Sequence, residues 1–381
     1  MSAYRIVTPT DVLFLRGNRL FGGAGEHGAA EMPPWPSVFA GAVASRILVD
    51  QGKIREITAH PDRAEEILAG VAGEDFACTF LGLTHEGRVL LPLPADLVAV
   101  RPDDAPETYR LASIVPESTP VYLASSSPLP LLPVLRSSDR AKPAGSLWLD
   151  LEGWRRHLDG DMPDTGSLAP AGELWGLDHR LGIGRDPGSR TAAEGKIYTS
   201  EAVVLTAGTA FLAGFSGTNI PEDGLLRLGG DGRGAEVSLP SGDVLPPGVG
   251  RPEAGWDGFR MILTTPGVFP DGWLPPGCAE EDGGIFLACG GLRAELRAAA
   301  LGRHGVVSGW DMANHRPKPA RRVVPAGSVY WFRVAEGDSG ELVELWRRGL
   351  YAAAANLDEE YRVSRRREGF SRAWFGAWQP R

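Results

Sequence analysis

An α+β fold spread over two domains is what this sequence predicts, on three observations. A chain of 381 residues exceeds one ordinary compact domain and can bury two sizeable cores. Its strand-like and helix-like segments mix without the regular βαβ alternation that a large parallel sheet requires. Its 50 glycines and 31 prolines interrupt the pattern so often that elements must be short and joined by many turns. At 43% hydrophobic and 23% charged residues, the composition is that of a soluble folded protein, far from the low-hydrophobicity corner where chains stay disordered.

The elements follow in order. Tyr4 to Val7 and then Asp11 to Leu15 read as an extended start, and a Gly/Pro-rich stretch runs from Gly22 to Pro36. The segment SVFAGAVASRILVDQG then carries a helix. Ser37 after Pro36 makes a good entry, Val38, Phe39, Ala42, Val43 and Ile47 recur on one face, and Gly52 closes the end. A second, short helix is expected from Asp62, where Glu65 completes a capping-box pattern ahead of Ile67, Leu68 and Val71.

From Leu90 to about Gly195 there is no sustained helical period, and proline-rich turns with scattered apolar runs predict a β-rich insertion. Ala202 to Phe215, Phe259 to Leu263, Gly284 to Ala288 and Val329 to Val334 predict strands, while Leu292 to Leu301 and Glu341 to Ala355 predict helices. Ser238 to Glu253 reads as a loop or linker, and no internal repeat stands out.

Several function classes are excluded or unsupported. The start MSAYRIVTPTD has no basic n-region with an apolar h-region, and no apolar run reaches membrane-spanning length, so a cytoplasmic location off the membrane is expected. Cys78, Cys278 and Cys289 are too few and too widely spaced for a disulfide framework or a zinc site, and are expected to be buried small hydrophobes. Gly23, Gly25 and Gly28 spell GxGxxG, but AAEMPPWPS follows and no helix opens on the last glycine. A loop that lets a backbone or partner approach closely is the better role for those glycines.

The histidines at 27, 60, 85, 157, 179, 304 and 315 include no HExxH and no pair at metal-ligand spacing, and neither GxSxG nor a Walker-type motif occurs. No metal, cofactor or catalytic residue is assigned. A lone histidine acting as general base needs no spacing signature, although an ordinary surface histidine is the commoner case.

The formal net charge of −9 has the wrong sign for a protein that coats nucleic acid non-specifically, so any such contact must come from local basic clusters. Arg16 and Arg19 flank a Gly-Asn turn. Arg185, Arg190 and Lys196 lie in GIGRDPGSRTAAEGKIYT, and Arg316, Lys318, Arg321 and Arg322 lie in NHRPKPARRVVPAG. The last stretch carries no acidic residue from Asn314 to Val324, and its prolines keep it extended. Near Trp310, such a loop suits a contact that tracks a phosphate backbone and stacks bases; the plainer alternative is a solvated loop. Arg362, Arg365, Arg366 and Arg367 read instead as a solvated face or a contact with Glu359 and Glu360.

These segments, in this order, resemble one family. DVLFLRGNRLFGG is similar to its opening D-x-L-F-x-R-x-x-R-P-F segment, and PPWPSVFAGAVASRIL to its proline-led helix. GIGRDPGSRTAAEGKIYT resembles its G-I-x-x-D-x-x-x-R-T-x-x-E-G-x-L-Y segment, and SGWDMANHRPKPARRVVPAGSVYWF its G-W-D block ending in P-A-G-S-V-Y. REGFSRAWFGAW resembles its glycine- and phenylalanine-rich C-terminal motif, and LRLGGDGRGAEVSL, with Gly229 and Gly230, its glycine-rich loop. Leu20, Trp35 and Ser371 depart from the pattern. The family is that of the third Cmr subunits of type III-B CRISPR effector complexes, within the RAMP superfamily.

The resemblance implies two ferredoxin-like, RRM-related RAMP domains with β-hairpin and loop insertions, which we divide into residues 1–205 and 206–381. It implies a non-catalytic subunit that grips the 5′ tag of the guide RNA and links the large Palm-domain subunit to the backbone RAMP subunit. Arg185, Arg190 and Lys196 would sit on an inserted hairpin that meets RNA. Arg16, Arg19, Arg316, Lys318, Arg321 and Arg322 would line the groove for the tag, with Gly22, Gly23, Gly25, Gly229 and Gly230 in glycine-rich loops beside it. The rival reading is a RAMP endoribonuclease that processes precursor guide RNA through His27, His179 or His315, and a third is a protein scaffold without RNA contact.

Overall fold

Along AYRIVTP, Tyr4 and Ile6 pack into one core and Val7 into another, the period-two pattern of a strand held between two apolar layers. In the computed structural model this strand, Ala3–Pro9, lies within an eight-stranded antiparallel sheet. The spatial order is Gly224–Arg227, Gly234–Ser238, Ala3–Pro9, Thr209–Ser216, Ala77–His85, Arg88–Pro92, Leu147–Asp150 and Leu168–Pro170. The described residues are 2–380, leaving out 16–26, 103–104, 106, 120–123, 138–141, 187, 312–313, 315, 354–356 and 358.

A second antiparallel sheet has six strands, in the order Cys278–Glu281, Gly284–Cys289, Leu292–Ala300, Val329–Glu336, Gly258–Leu263 and Ala373–Ala377. Numbered along the chain, four adjacent strands of each sheet share the order 4-1-3-2: Gly234–Ser238, Ala3–Pro9, Thr209–Ser216, Ala77–His85 in the first, and Ala373–Ala377, Gly258–Leu263, Val329–Glu336, Leu292–Ala300 in the second. The molecule thus repeats one strand plan, a repeat that long insertions conceal in the sequence.

The helices are α1 (Pro36–Asp50), α2 (Ile54–Ala59), α3 (Ala64–Ala72), α4 (Leu151–Leu158), α5 (Ala171–Leu174), α6 (Val343–Arg348) and α7 (Glu359–Glu368). Phe39, Val43 and Ile47 of α1 and Ile67 and Leu68 of α3 bury against Val7, Phe211, Ala213 and Leu83 on one face of the first sheet. The opposite face meets the second sheet directly. Leu91, Leu149 and Leu212 pack there with Ile262, Val329, Trp331 and Trp374, and Trp154 of α4 meets Trp374 edge to face at 5.3 Å. Leu342, Leu345 and Leu350 cover the far face of the second sheet over Phe259, Leu296 and Phe332. The layers therefore run helix, sheet, sheet, helix.

α1 starts one residue earlier than expected. Trp35 is its cap, Pro36 takes the first position where a missing N–H costs nothing, and Gly52 follows its end in a left-handed conformation. α3 begins at Ala64 after a 3₁₀ turn, with Arg63 at the cap position and so no side-chain cap, and Glu65 pairs with Arg367. The predicted strand from Ala202 to Phe215 is two strands with a turn at 206–208. The second of these, Thr209–Ser216, lies inside the first sheet, whose last strand in the chain is Gly234–Ser238; the second sheet begins at Gly258.

Two predicted helices change. Leu292–Ala300 is a strand whose residues alternate strictly between buried and half-buried, so Leu292, Ala294, Leu296, Ala298 and Ala300 all point into cores. Its leucines, alanines, arginines and glutamate favour helices, but pairing on both edges overrides that preference. The stretch from Glu341 is broken into a 3₁₀ turn, α6 and a further turn, since Gly349 takes φ +87° and ends the helix.

The arginines at 362–367 are not a solvated face. α7 packs on α1 and on Ala77–His85, with Arg367 buried and paired to Glu65, Arg366 donating to the Glu74 carbonyl, and Arg365 paired to Glu368 at 2.7 Å. The chain then returns to the second sheet through Arg372, whose buried guanidinium donates to the carbonyls of Arg347 and Cys78. Of the three free cysteines, Cys78 is buried as expected, whereas Cys278 and Cys289 are only partly covered. Among the described residues no helix is long and apolar enough to cross a membrane, and no three side chains of metal-ligand type gather.

Candidate functional site

Strand directions gather several loops at one end of the first sheet. Pro9 lies opposite Ala235 and His85 opposite Thr209, so residues 10–36, the long connection 86–208 and the turn 228–233 all leave from that end. The connection includes a long hairpin, Trp175–Arg185 with Ala192–Leu205, which the sequence reading had only as part of a β-rich insertion.

The base of this hairpin is tied to the N-terminal segment. Leu13 bridges to Val203, His27–Gly28 runs parallel to Thr199 and Ser200, and the Ala30 amide donates to Glu201 at 2.9 Å. The tip is a turn ordered by Asp186, which accepts from the Ser189 and Gly188 amides and the Ser189 hydroxyl; these bonds, the Ser189 amide's first, hold its carboxyl below the usual range. Arg185 donates to the Arg190 carbonyl, and Arg190 itself has φ +58°, so both exposed guanidiniums stand at a fixed turn. Lys196 lies in the returning strand. One face of the hairpin leaves Leu177, Leu181, Ile183 and Ile197 exposed.

At the hairpin base, three separate parts of the sequence meet on Phe14. Gly230 donates from its amide to the Phe14 carbonyl at 2.8 Å, in a turn where Gly229 takes φ +75°; a Cβ on Gly229 would come within 2.8 Å of that same carbonyl. The turn delivers Arg233 over the Phe14 ring at 5.0 Å, and the hairpin strand delivers Arg180 over it at 5.8 Å. Arg233 pairs with Asp11 at 2.7 Å and Arg180 with Asp178 at 2.8 Å. Phe14 stands two residues before Arg16. Arg16, Arg19, Gly22, Gly23 and Gly25 lie outside the described residues.

The second basic cluster is also a hairpin. Gly305–Val307 pairs with Arg321–Val323, and Trp310–Asp311 with Arg316–Pro317, so the prolines that bar a helix do stretch the chain. This hairpin joins the second and third strands of the second half, the connection that also carries the long hairpin in the first half. Its root is apolar: Val307 and Val323 pack with Val268, Phe370 and Trp35, the residue that caps α1. Trp310 is 54% exposed, Arg321 and Arg322 are exposed on successive positions, and Arg316 is exposed with Asp311 4.0 Å away. Lys318 differs from them, because its ammonium is tied to Glu368 of α7 at 2.7 Å.

The fold therefore brings Gly229 and Gly230 to the segment that leads into Arg16, and puts Arg185, Arg190 and Lys196 on a hairpin rooted there. It puts Arg316, Arg321 and Arg322 on a matching hairpin beside the start of α1. Sequence reasoning missed Arg180, Arg233 and Phe14, whose only signal was the arginine within the Gly-Gly-Asp-Gly-Arg turn. Of the histidines raised for catalysis, exposed His179 is 3.6 Å from Glu201, and His315 lies outside the described residues.

The fold resembles a chain in the cryo-EM structure of the type III-B Cmr-beta complex bound to cognate target RNA and AMPPnP, with TM-score 0.53 and 13% identity over 97% of this chain and 95% of that one. A second structure, Cmr-beta bound to cognate target RNA, gives TM-score 0.48 and 13% identity over 86% of each chain. No curated protein sequence matches. The model of the CRISPR-associated protein family Cas_Cmr3 matches residues 5–378, and the chain belongs to that family.

Proposed function

We propose that this chain is a non-catalytic RNA-binding subunit of a type III-B CRISPR effector complex. It grips the 5′ tag of the guide RNA and joins the large Palm-domain subunit to the first backbone RAMP subunit. The observation that carries the reading is the placement of two basic hairpins on the same connection of two repeated strand plans, one rooted at the glycine turn and Phe14 and the other beside α1. Single-stranded RNA is held by such surfaces through arginine contacts to phosphates and aromatic stacking on bases, here with exposed Trp310 as the stacking surface.

The repeated 4-1-3-2 order supports the expectation of two ferredoxin-like domains, with their division in the loop 239–257. An overall acidic surface is compatible with this role, since RNA meets only a local basic strip while partner subunits cover other faces.

The test is affinity purification of the tagged protein from its host, with sequencing of bound RNA, for wild type and an Arg316→Ala, Arg321→Ala, Arg322→Ala variant. Short RNAs with one shared 5′ end should accompany the wild type and be depleted in the variant. Partners recovered without RNA would leave a protein scaffold, and cleavage of precursor RNA by the purified protein would overturn the non-catalytic reading.

A further inference from the structure

The convergence on Phe14 has no counterpart among the basic clusters visible in the sequence. Arg180 comes from the long hairpin, Arg233 from the glycine turn and Phe14 from the N-terminal segment, and each is fixed independently. The Phe14 carbonyl is held by Gly230, Arg180 by Asp178 and Arg233 by Asp11. Phe14 is buried, while both guanidiniums remain partly open to solvent. An arginine presents five N–H donors in a planar fork. Asp178 engages Nε of Arg180 and Asp11 engages one terminal nitrogen of Arg233, so each fork keeps further donors for an acceptor with several oxygens.

We propose that Arg180 and Arg233, mounted on Phe14, form a phosphate-binding pair for the RNA strand, held in check by Asp11 and Asp178. The proposal rests on the RNA-binding reading above and extends it to a site formed only when the hairpin base and the glycine turn come together. Each guanidinium is already placed over the ring and ion-paired before RNA arrives, which lowers the ordering cost of gripping a phosphate. The two carboxylates neutralise the pair when RNA is absent. An incoming phosphate must compete with them, so removing a carboxylate should strengthen RNA binding, an effect that a purely structural ion pair would not give.

The experiment measures binding of a short fluorescein-labelled single-stranded RNA to the purified full-length protein by anisotropy across a salt series. Arg180→Gln with Arg233→Gln should weaken binding roughly tenfold or more at low salt. It should also flatten the slope of log affinity against log salt by about 0.7, the value for one single-strand phosphate contact. Asp11→Asn and Asp178→Asn should each tighten binding severalfold. If the glutamine variant folds poorly, Arg180→Lys with Arg233→Lys keeps both charges and should keep the slope while losing affinity with the planar forks.

An unchanged affinity and slope in the glutamine variant, with binding still lost in the Arg316, Arg321, Arg322 variant, would overturn this site and leave the wider reading standing. Weaker binding in the Asp11→Asn and Asp178→Asn variants would also overturn it, since their carboxylates would then be supports rather than competitors. A wild-type protein that binds no RNA would overturn both.

Discussion

Arg260 donates a hydrogen bond to Asp96 across 3.1 Å inside the core between the two sheets, although the two residues come from opposite halves of the chain. The second oxygen of Asp96 lies 2.7 Å from Nε2 of His157 in α4, and Arg260 also donates to the Leu158 carbonyl at 3.3 Å. A contact this short between an imidazole nitrogen and a carboxylate needs the proton on Nε2. All three side chains are almost fully buried.

Breaking one partner of such a pair leaves an uncompensated charge in an apolar core. Asp96→Ala should therefore cost about 3–5 kcal/mol in urea unfolding, whereas Asp96→Leu combined with Arg260→Met should recover much of that loss. Acid should act in the same direction. Burial pushes the Asp96 carboxyl up, but His157 and Arg260 outweigh it and hold the group below its usual value. Its contribution is thus present above the unfolded value of about 3.9 and is lost as the pH falls below it. The double variant should show a flatter acid limb, and an equally steep one would exclude this source.

Leu296 tests the strand that its composition disguises. In a helix over 292–301 its side chain would share a face with neighbours three or four positions away, but here it is fully buried opposite Phe332 in the register of the second sheet. Leu296→Ala should destabilise the protein by about 2–5 kcal/mol, and Arg297→Ala by much less. Equal losses at the two positions in thermal or chemical unfolding would contradict the strand.

Trp310 should separate stability from binding. Its ring is exposed at the basic hairpin, so Trp310→Ala should move unfolding by about 0.5 kcal/mol or less. If the ring stacks a base, the same change should weaken RNA binding by about 1–3 kcal/mol, roughly five- to more than a hundredfold. A large stability loss with unchanged RNA binding would place the ring in a protein contact instead.

Cys78 should be chemically silent in the folded protein. Burial pushes its thiol up to about 12, with the Arg372 charge pulling only partly the other way. Thiol labelling with an aromatic disulfide at pH 8 should modify Cys78 only after denaturant is added, and partly covered Cys289 before it. Because the folded thiol resists ionisation, its contribution is complete below the unfolded value of about 8.5 and is lost as the pH rises toward 12. Cys78→Ala should flatten the alkaline limb of a stability curve, and rapid labelling of native Cys78 would show that the α7 junction opens.

Local pattern was legible in the sequence where one element answers to one core. The apolar face of α1 and the runs around Phe259 and Val329 needed only their own periodicity to be recognised. Leu292–Ala300 was misread because both of its edges are paired by segments remote in sequence, and the arginines of α7 because the surface that buries them belongs to the other half. The basic clusters around Arg185 and Arg316 were visible as composition, and the family motifs ordered them. The meeting of Arg180 and Arg233 on Phe14 was not visible, since it depends on three segments that only the register of the first sheet aligns.

The path of α7 has a consequence for how the molecule can be taken apart. The first half has no helix between its third and fourth strands, and the second half's last helix fills a place beside α1 before the chain returns to pair as Ala373–Ala377. Each half therefore completes its fold with material that the other encodes or needs. Cleavage in the loop 239–257 should give two pieces that stay together and re-form one particle when mixed, while either piece made by itself would carry an uncovered apolar face and precipitate.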